Sequence, residues 1–191
     1  MSIVLYSANE CPFCVRTRLV LAGKGIDHEL VEVDLGNKPG WLRELNPRNR
    51  VPVLKDGGAV LWESEALNEY LEEIRPEPAM MPGDAVGRAR VRLLFRLFED
   101  LSDAYYAARR DEPEPDAAAS VRAQLAGLEA RLTDQPYLAG DRYSLAEPAW
   151  WPWIVRLHRV GVDVAQYAAV TAWCERLALR PEYAAELSLL G

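Results

Sequence analysis

Cysteine is scarce in this 191-residue sequence, which has three: Cys11, Cys14 and Cys174. An odd, low count excludes a secreted domain stapled by disulfides and fits a reducing, cytoplasmic setting in which one pair is free to react. Histidine is scarcer still, with only His28 and His158. A structural zinc site needs four Cys or His ligands, so no metal is expected. Lysine is confined to Lys24, Lys38 and Lys55, and the other basic residues are arginine. With 22 basic against 29 acidic residues the formal net charge is −7, shared between both halves of the chain. Neither half offers the basic face that direct nucleic-acid binding requires. No apolar run reaches the length of a membrane-spanning helix. The opening MSIVLYSANECPFC has no basic n-region and runs straight into a strand, so no signal peptide is expected there. No internal repeat or low-complexity tract is present.

What is present is a hydrophobic half of the composition, enough for one large core or two small ones. IVLY at residues 3–6 reads as a short buried strand. Cys11-Pro12 then opens an apolar-periodic helix that runs to Lys24, with Pro12 in the first turn and Gly23 and Gly25 at the end. HELVEV at 28–33 alternates as a strand, and a short helix follows around 41–44. Strands at 51–55 and 59–62 are joined by the Gly57-Gly58 turn, and Ser64 is positioned to cap a helix to about Glu73. The βα crossover predicts parallel pairing and the Gly-Gly turn an antiparallel hairpin. The fold class is therefore an α/β thioredoxin-like N-terminal domain with a four-stranded mixed sheet, over residues 1–76. Prolines in RPEPAMMPGD mark a linker at 77–84. Residues 85–191 read as all-helical, with candidates at 84–109, 117–132, from about 144, at 166–178 and after Pro181.

The C-x-x-C pair admits three readings: a structural zinc half-site, two inert buried thiols, or a reactive site. The last has a direct physical basis. A cysteine just before a helix faces unpaired backbone N–H groups and the positive end of the helix dipole, both of which favour thiolate. Arg16 and Arg18 add positive charge nearby. Cys11 is the expected nucleophile, and Cys14, one turn inward, either resolves a mixed disulfide or is a small core residue. Val51-Pro52 sits at a strand start near that helix. A cis proline there would leave the preceding backbone free to pair with an extended thiol peptide. Glu63-Ser64 opens the next helix, whose free N–H groups could hold a ligand carboxylate while Glu63 accepts an ammonium. Trp150, Trp151 and Trp153 crowd a proline-containing segment, as an aromatic pocket wall or as core packing. Cys174, among Trp173, Leu177 and Leu179, is expected to be a buried core thiol.

The stretches CPFCVRTRLVLAGKGI, ELNPRNRVPVL, LWESEALNEYLEE and LAGDRYSLAE, in that order, resemble the cytosolic glutathione transferase family over nearly the whole chain. The resemblance implies a thioredoxin-like domain followed by a helical substrate and dimerisation domain, glutathione as cosubstrate, and a homodimer. Cys11 matches the nucleophile of the omega-like and beta-like cysteine classes. Arg50, Val51 and Pro52 match the family's cis-proline loop, which binds the glutathione cysteinyl group. Glu63 and Ser64 match the pair that grips the γ-glutamyl end, and Lys38 or Trp41 would lie near the glycyl end. Ser144 and Glu147 match a capping box that folds the helical domain. Pro148 would then fall where the first intrahelical bond of that helix should form.

Several segments, LNPRNRVPVL, LWESEALNEYLEE and RPEPAMMP among them, also resemble the stringent starvation protein A branch. That likeness implies a transferase fold that binds RNA polymerase without catalysis, and CPFC is not part of that branch's pattern. The leading expectation is a glutathione-dependent thiol transferase acting through the Cys11 thiolate on a small hydrophobic or disulfide substrate. The alternatives are the RNA polymerase-associated scaffold and a dithiol, glutaredoxin-like oxidoreductase that requires Cys14.

Overall fold

The computed structural model describes residues 3–189 of the chain. Four strands, β1 (Ile3–Ser7), β2 (His28–Glu32), β3 (Val53–Asp56) and β4 (Ala59–Trp62), form one sheet in the order β2-β1-β3-β4. β1 pairs parallel with β2 and antiparallel with β3, so Leu5 stands opposite both Leu30 and Leu54. β3 and β4 pair antiparallel through the Gly57-Gly58 turn, with Asp56 opposite Ala59. The mixed sheet and the hairpin thus follow the expected order. β3 starts at Val53 and not at Val51, and the cis Val51-Pro52 peptide precedes it.

Three helices accompany the sheet: α1 (Pro12–Gly23), α2 (Leu42–Leu45) and α3 (Ser64–Ile74). α1 stops for a local reason. Gly25 takes φ +60°, Ile26 N donates to Leu21 O, and Gly25 N donates to Ala22 O, which together satisfy the last carbonyls. Leu5, Leu19, Leu21, Leu54, Leu67 and Leu71 are fully buried and form the core of this unit.

The remaining helices are α4 (Ala85–Ala108), α5 (Ala117–Asp134), α6 (Ala146–Ile154), α7 (Ala168–Ala178) and α8 (Pro181–Ser188). α4 begins where Asp84 accepts a hydrogen bond from Gly87 N at 2.8 Å. Its buried stripe of Val91, Leu94, Phe95, Phe98 and Leu101 faces α5 and α6, while Val86, Leu93 and Leu97 are exposed. Arg96 pairs with Glu99 on the solvated side.

By contacts, residues up to Ala79 together with those from Glu182 onward make one compact unit, and Met80–Pro181 makes the other. Chain order alone places α8 with the helical region. Its buried Glu186 instead pairs with Arg18 of α1.

In the helical unit the tryptophans are core. Trp150 donates from Nε1 to Leu94 O at 3.0 Å, and Phe98 packs edge-on against Trp150 and Trp153. Trp150, Trp151 and Trp153 are all buried, so the packing alternative holds and the pocket-wall alternative does not. Among the described residues, no helix is long and apolar enough to cross a membrane.

Candidate active site

Cys11 stands at the N-terminal boundary of α1, in extended backbone, with Pro12 as the first helical residue. Its carbonyl accepts from Cys14 N and Val15 N, and its own N–H donates to Ala8 O at 3.1 Å. The side chain is half-buried, whereas Cys14 is completely buried. This difference sets the chemistry of the pair. The Cys14 thiol donates toward the Cys11 sulfur, the Cys14 and Phe13 amides add their N–H groups, and Arg18 adds positive charge. Against the opposing effect of burial, these lower Cys11 from 9.0 to about 7. Burial drives Cys14 the other way, well above the ordinary thiol range. Its sulfur accepts from Ala8 N at 3.4 Å. Of the pair, Cys11 is the more readily ionised and Cys14 the donor beside it.

Val51, just before β3, reaches the same place. It shares a hydrophobic cluster with Ala8, Cys14, Val33, Leu42 and Val53, and Cys11 packs against that cluster. The preceding loop is shaped by Asn46, which donates from Nδ2 to Arg50 O and accepts at Oδ1 from Arg48 N. Asn49 then takes φ 53°, and Lys38 Nζ reaches its carbonyl at 3.1 Å. Trp41 stacks at a tilt on Tyr6, 5.2 Å between ring centres.

The Glu63-Ser64 corner differs from expectation in one respect. Ser64 is the first residue of α3, its hydroxyl does not cap the helix, and it accepts instead from buried Arg16 Nη1 at 3.4 Å. Glu63 occupies the cap position with φ 73° and ψ 113°, a sparsely populated conformation for a non-glycine residue that recurs at functional sites. Its exposed carboxylate is held by Arg48 at 2.7 Å. Arg50, Val51, Pro52, Glu63 and Ser64, together with Phe13 and Asn46, line one cavity of about 60 Å³. That volume suits the charged end of a ligand and not a whole tripeptide. Cys11 is not among its walls and joins the corner through the Val51 cluster. Among the described residues, no group of three or more His, Cys, Asp or Glu could hold a metal ion.

Residues 5–79 match the model of the glutathione S-transferase N-terminal domain, and residues 87–176 match that of the glutathione S-transferase C-terminal domain. Over 167 residues the chain is 35% identical to glutathione S-transferase omega-1 of Rattus norvegicus, covering 84% of this chain and 69% of the relative.

The chain belongs to the cytosolic glutathione transferase family.

A crystal structure of glutathione transferase Omega 3C from Trametes versicolor superposes with a TM-score of 0.84 at 26% identity, covering 96% of this chain and 87% of that one. The stringent starvation protein A homolog of Haemophilus influenzae is also similar, 31% identical over 186 residues, with 95% of this chain and 88% of the relative covered.

In this glutathione transferase the Ser144/Glu147 pair belongs to the helical unit. Glu147 is fully buried and its carboxylate accepts from Ser144 N, Ser144 Oγ and Leu138 N, while Ser144 Oγ accepts from Ala146 N. α6 starts later than the motif suggests, with Leu145 as its cap residue. Pro148 therefore falls in the first turn, where an N–H is not needed, and the first i→i−4 bond runs from Ala149 N to Leu145 O. Cys174 is half-buried and not a core thiol. α7 turns Val170, Trp173 and Leu177 inward, which leaves Cys174 on the wall of an apolar cavity of about 610 Å³ with Ile154, Val162 and Thr171. Burial on that wall raises its thiol to about 12.

Two contributors to the site have little sequence signal. Arg48 is one of two arginines in NPRNR, and only the fold shows which one meets Glu63. Glu186 lies 168 residues beyond its partner Arg18.

Proposed function

We propose that this glutathione transferase is a thiol transferase of the omega-like type, with Cys11 as nucleophile. The observation that carries this reading is the placement of half-buried Cys11 at the start of α1 beside the buried Cys14 thiol, which with the helix amides and Arg18 lowers its thiol to about 7. The Cys11 thiolate attacks the glutathionyl sulfur of a mixed disulfide GS–SR. The Cys11–SG bond forms, the S–S bond breaks, and RS⁻ leaves with the electron pair. A second glutathione thiolate then attacks Cys11–SG, giving GSSG and the free Cys11 thiolate. Little beyond a good thiolate and an accessible sulfur is required of the protein.

The cosubstrate end of the reading is glutathione held at the Val51-Pro52 and Glu63-Ser64 corner. Val51 supplies backbone beside Cys11. Ser64 and the α3 N-terminus meet the γ-glutamyl carboxylate, Glu63 its ammonium, and Arg50 adds positive charge on the same rim. The small cavity among these residues supports that assignment. The exposed Val86, Leu93 and Leu97 on α4 support a homodimer. The full burial of Cys14 favours the monothiol route over a dithiol one, because a resolving thiol must itself ionise.

A second reading is favoured by the likeness to the stringent starvation protein A homolog: the fold would serve as an RNA polymerase-binding scaffold in which Cys11 is dispensable. The deciding experiment is mass spectrometry of the reduced protein after mixing with oxidised glutathione, wild type beside Cys11→Ser. An adduct of one glutathionyl group on the wild type alone is expected. A folded, reduced wild type that takes up no adduct refutes the exchange mechanism, and an RNA polymerase pull-down then tests the scaffold reading.

A further inference from the structure

The Arg18 guanidinium has five N–H donors, and each has an acceptor. Nε and one hydrogen of Nη2 go to the two oxygens of Glu186, at 2.7 and 2.6 Å. Nη1 donates to Ser7 Oγ at 2.8 Å and to Ala8 O at 3.2 Å, and Nη2 also reaches Asn9 O at 3.3 Å. Arg18 and Glu186 are both buried. One face of the fork thus grips α8 and the other grips the turn between β1 and α1.

That turn carries the nucleophile. Ala8 O, which accepts from Arg18, also accepts from Cys11 N, and Ala8 N donates to Cys14 Sγ. Both cysteines are therefore one hydrogen bond from a residue that Arg18 holds. The turn is pinned on its other side by Glu32 of β2, which accepts from Asn9 N at 2.9 Å. The charged groups facing Arg18 are Glu186 from α8, Glu32 from β2 and the thiols at the start of α1. A bidentate carboxylate fixes the plane of a guanidinium, and only a fixed plane satisfies all three acceptors of the turn together.

We propose that Glu186 is a positioning residue for the Cys11 thiolate, acting through Arg18 on the Ser7–Asn9 turn, so that the last helix sets the readiness of the nucleophile at the start of the first. The inference rests on Cys11 being the reactive thiol of the proposed function. It makes the seating of α8 a determinant of chemistry and not only of stability.

The test is the pH profile of Cys11 alkylation by iodoacetamide, followed on the Cys11 peptide by mass spectrometry in full-length protein. No glutathione is needed, so a wild type that alkylates near neutrality but forms no glutathione adduct fails the transferase reading and leaves this test intact. Arg18→Met is expected to raise the midpoint by about one pH unit, and Glu186→Gln by about half a unit, because the glutamine amide opposes one of the guanidinium donors and frees the plane. The double variant is expected to match Arg18→Met alone. If Arg18→Met does not fold, Arg18→Lys and Glu186→Gln carry the comparison. A Glu186→Gln midpoint equal to wild type, with only the melting temperature lowered, overturns the proposal and leaves a fold brace. A lowered midpoint also overturns it, since Glu186 would then act merely as an opposing charge. Additive effects in the double variant overturn the route through Arg18.

Discussion

Replacing Cys14 by alanine should disarm Cys11 without touching it. The Cys14 thiol is the largest of the influences that bring Cys11 from 9.0 to about 7. A thiol of pKa 7 is half ionised at pH 7, whereas one of pKa 9 is ionised in about one molecule in a hundred. Loss of the leading donor should return about half of that displacement and not all of it, because the helix amides and Arg18 remain. The midpoint should move to about 8, and the thiolate fraction at pH 7 should fall to about one in ten. Alkylation at pH 7 should then slow about five-fold, while the limiting rate in strong alkali stays near that of wild type. Cys14→Ser is the control. A hydroxyl in the same place still donates to the Cys11 sulfur and still accepts from Ala8 N, so its midpoint should stay within about half a unit of wild type.

The two variants also separate mechanisms. Cys14→Ser removes any resolving thiol yet keeps the donor, so the monothiol route predicts retained turnover of a glutathione mixed disulfide. Both proteins should fold, since deletion of one buried sulfur costs on the order of 1 kcal/mol. A Cys14→Ala midpoint that stays near 7 would refute the reasoning, because the helix terminus and Arg18 alone would then suffice. Loss of turnover in Cys14→Ser with an unchanged midpoint would favour the dithiol route.

Arg48→Ala removes an ion pair whose two members are half exposed. Its melting temperature should change little, since such pairs contribute about 0–1 kcal/mol, while KM for glutathione rises several-fold and kcat holds, because Glu63 loses its orienting partner. Phe98→Ala empties the position between Trp150 and Trp153 and should cost about 3–5 kcal/mol in urea unfolding. Glu147 is raised by burial to about 7 from 4.5, so between those values the folded state holds a proton that the unfolded chain has released. Its contribution to stability is therefore complete below about pH 4.5 and declines as pH rises through 7. Glu147→Gln should flatten that part of the melting temperature profile and lower the whole curve, because one of the three donors at the site would then meet an amide N–H₂.

What was legible in the sequence was local or periodic. The parallel β1–β2 pair and the antiparallel β3–β4 hairpin follow from one crossover and one Gly-Gly turn, whereas the β1–β3 pairing that joins them is long-range and has no local signal. The helix start at Cys11-Pro12 is a short-range signal that proline enforces. The capping motif was visible as Ser144 and Glu147, yet the helix it serves begins one residue later, because Leu145 supplies the first accepting carbonyl. Ser64 looked like a cap on the same local logic. In the fold its hydroxyl answers a buried arginine from another helix, and no window around Ser64 reports that neighbour. Cys174 looked buried because its neighbours are apolar, but position on the helix, and not the company in sequence, decides which wall a side chain faces.

The same limit explains why the proposed nucleophile is easier to read from the sequence than its environment. A cysteine before a helix declares its chemistry through the backbone amides beside it, and all of those are sequence neighbours. The proposed tuning of that thiol rests on groups that only the fold assembles: the Arg18 fork, the turn it holds, and a glutamate near the far end of the chain. Arg16 and Arg18 are equivalent in the sequence, two residues apart in one apolar helix. The structure separates them, sending Arg16 to Ser64 and Glu65 and Arg18 to the nucleophile's turn. The two roles do not exchange: Arg16→Met should disturb the Ser64 corner and glutathione affinity, whereas Arg18→Met should disturb the ionisation of Cys11.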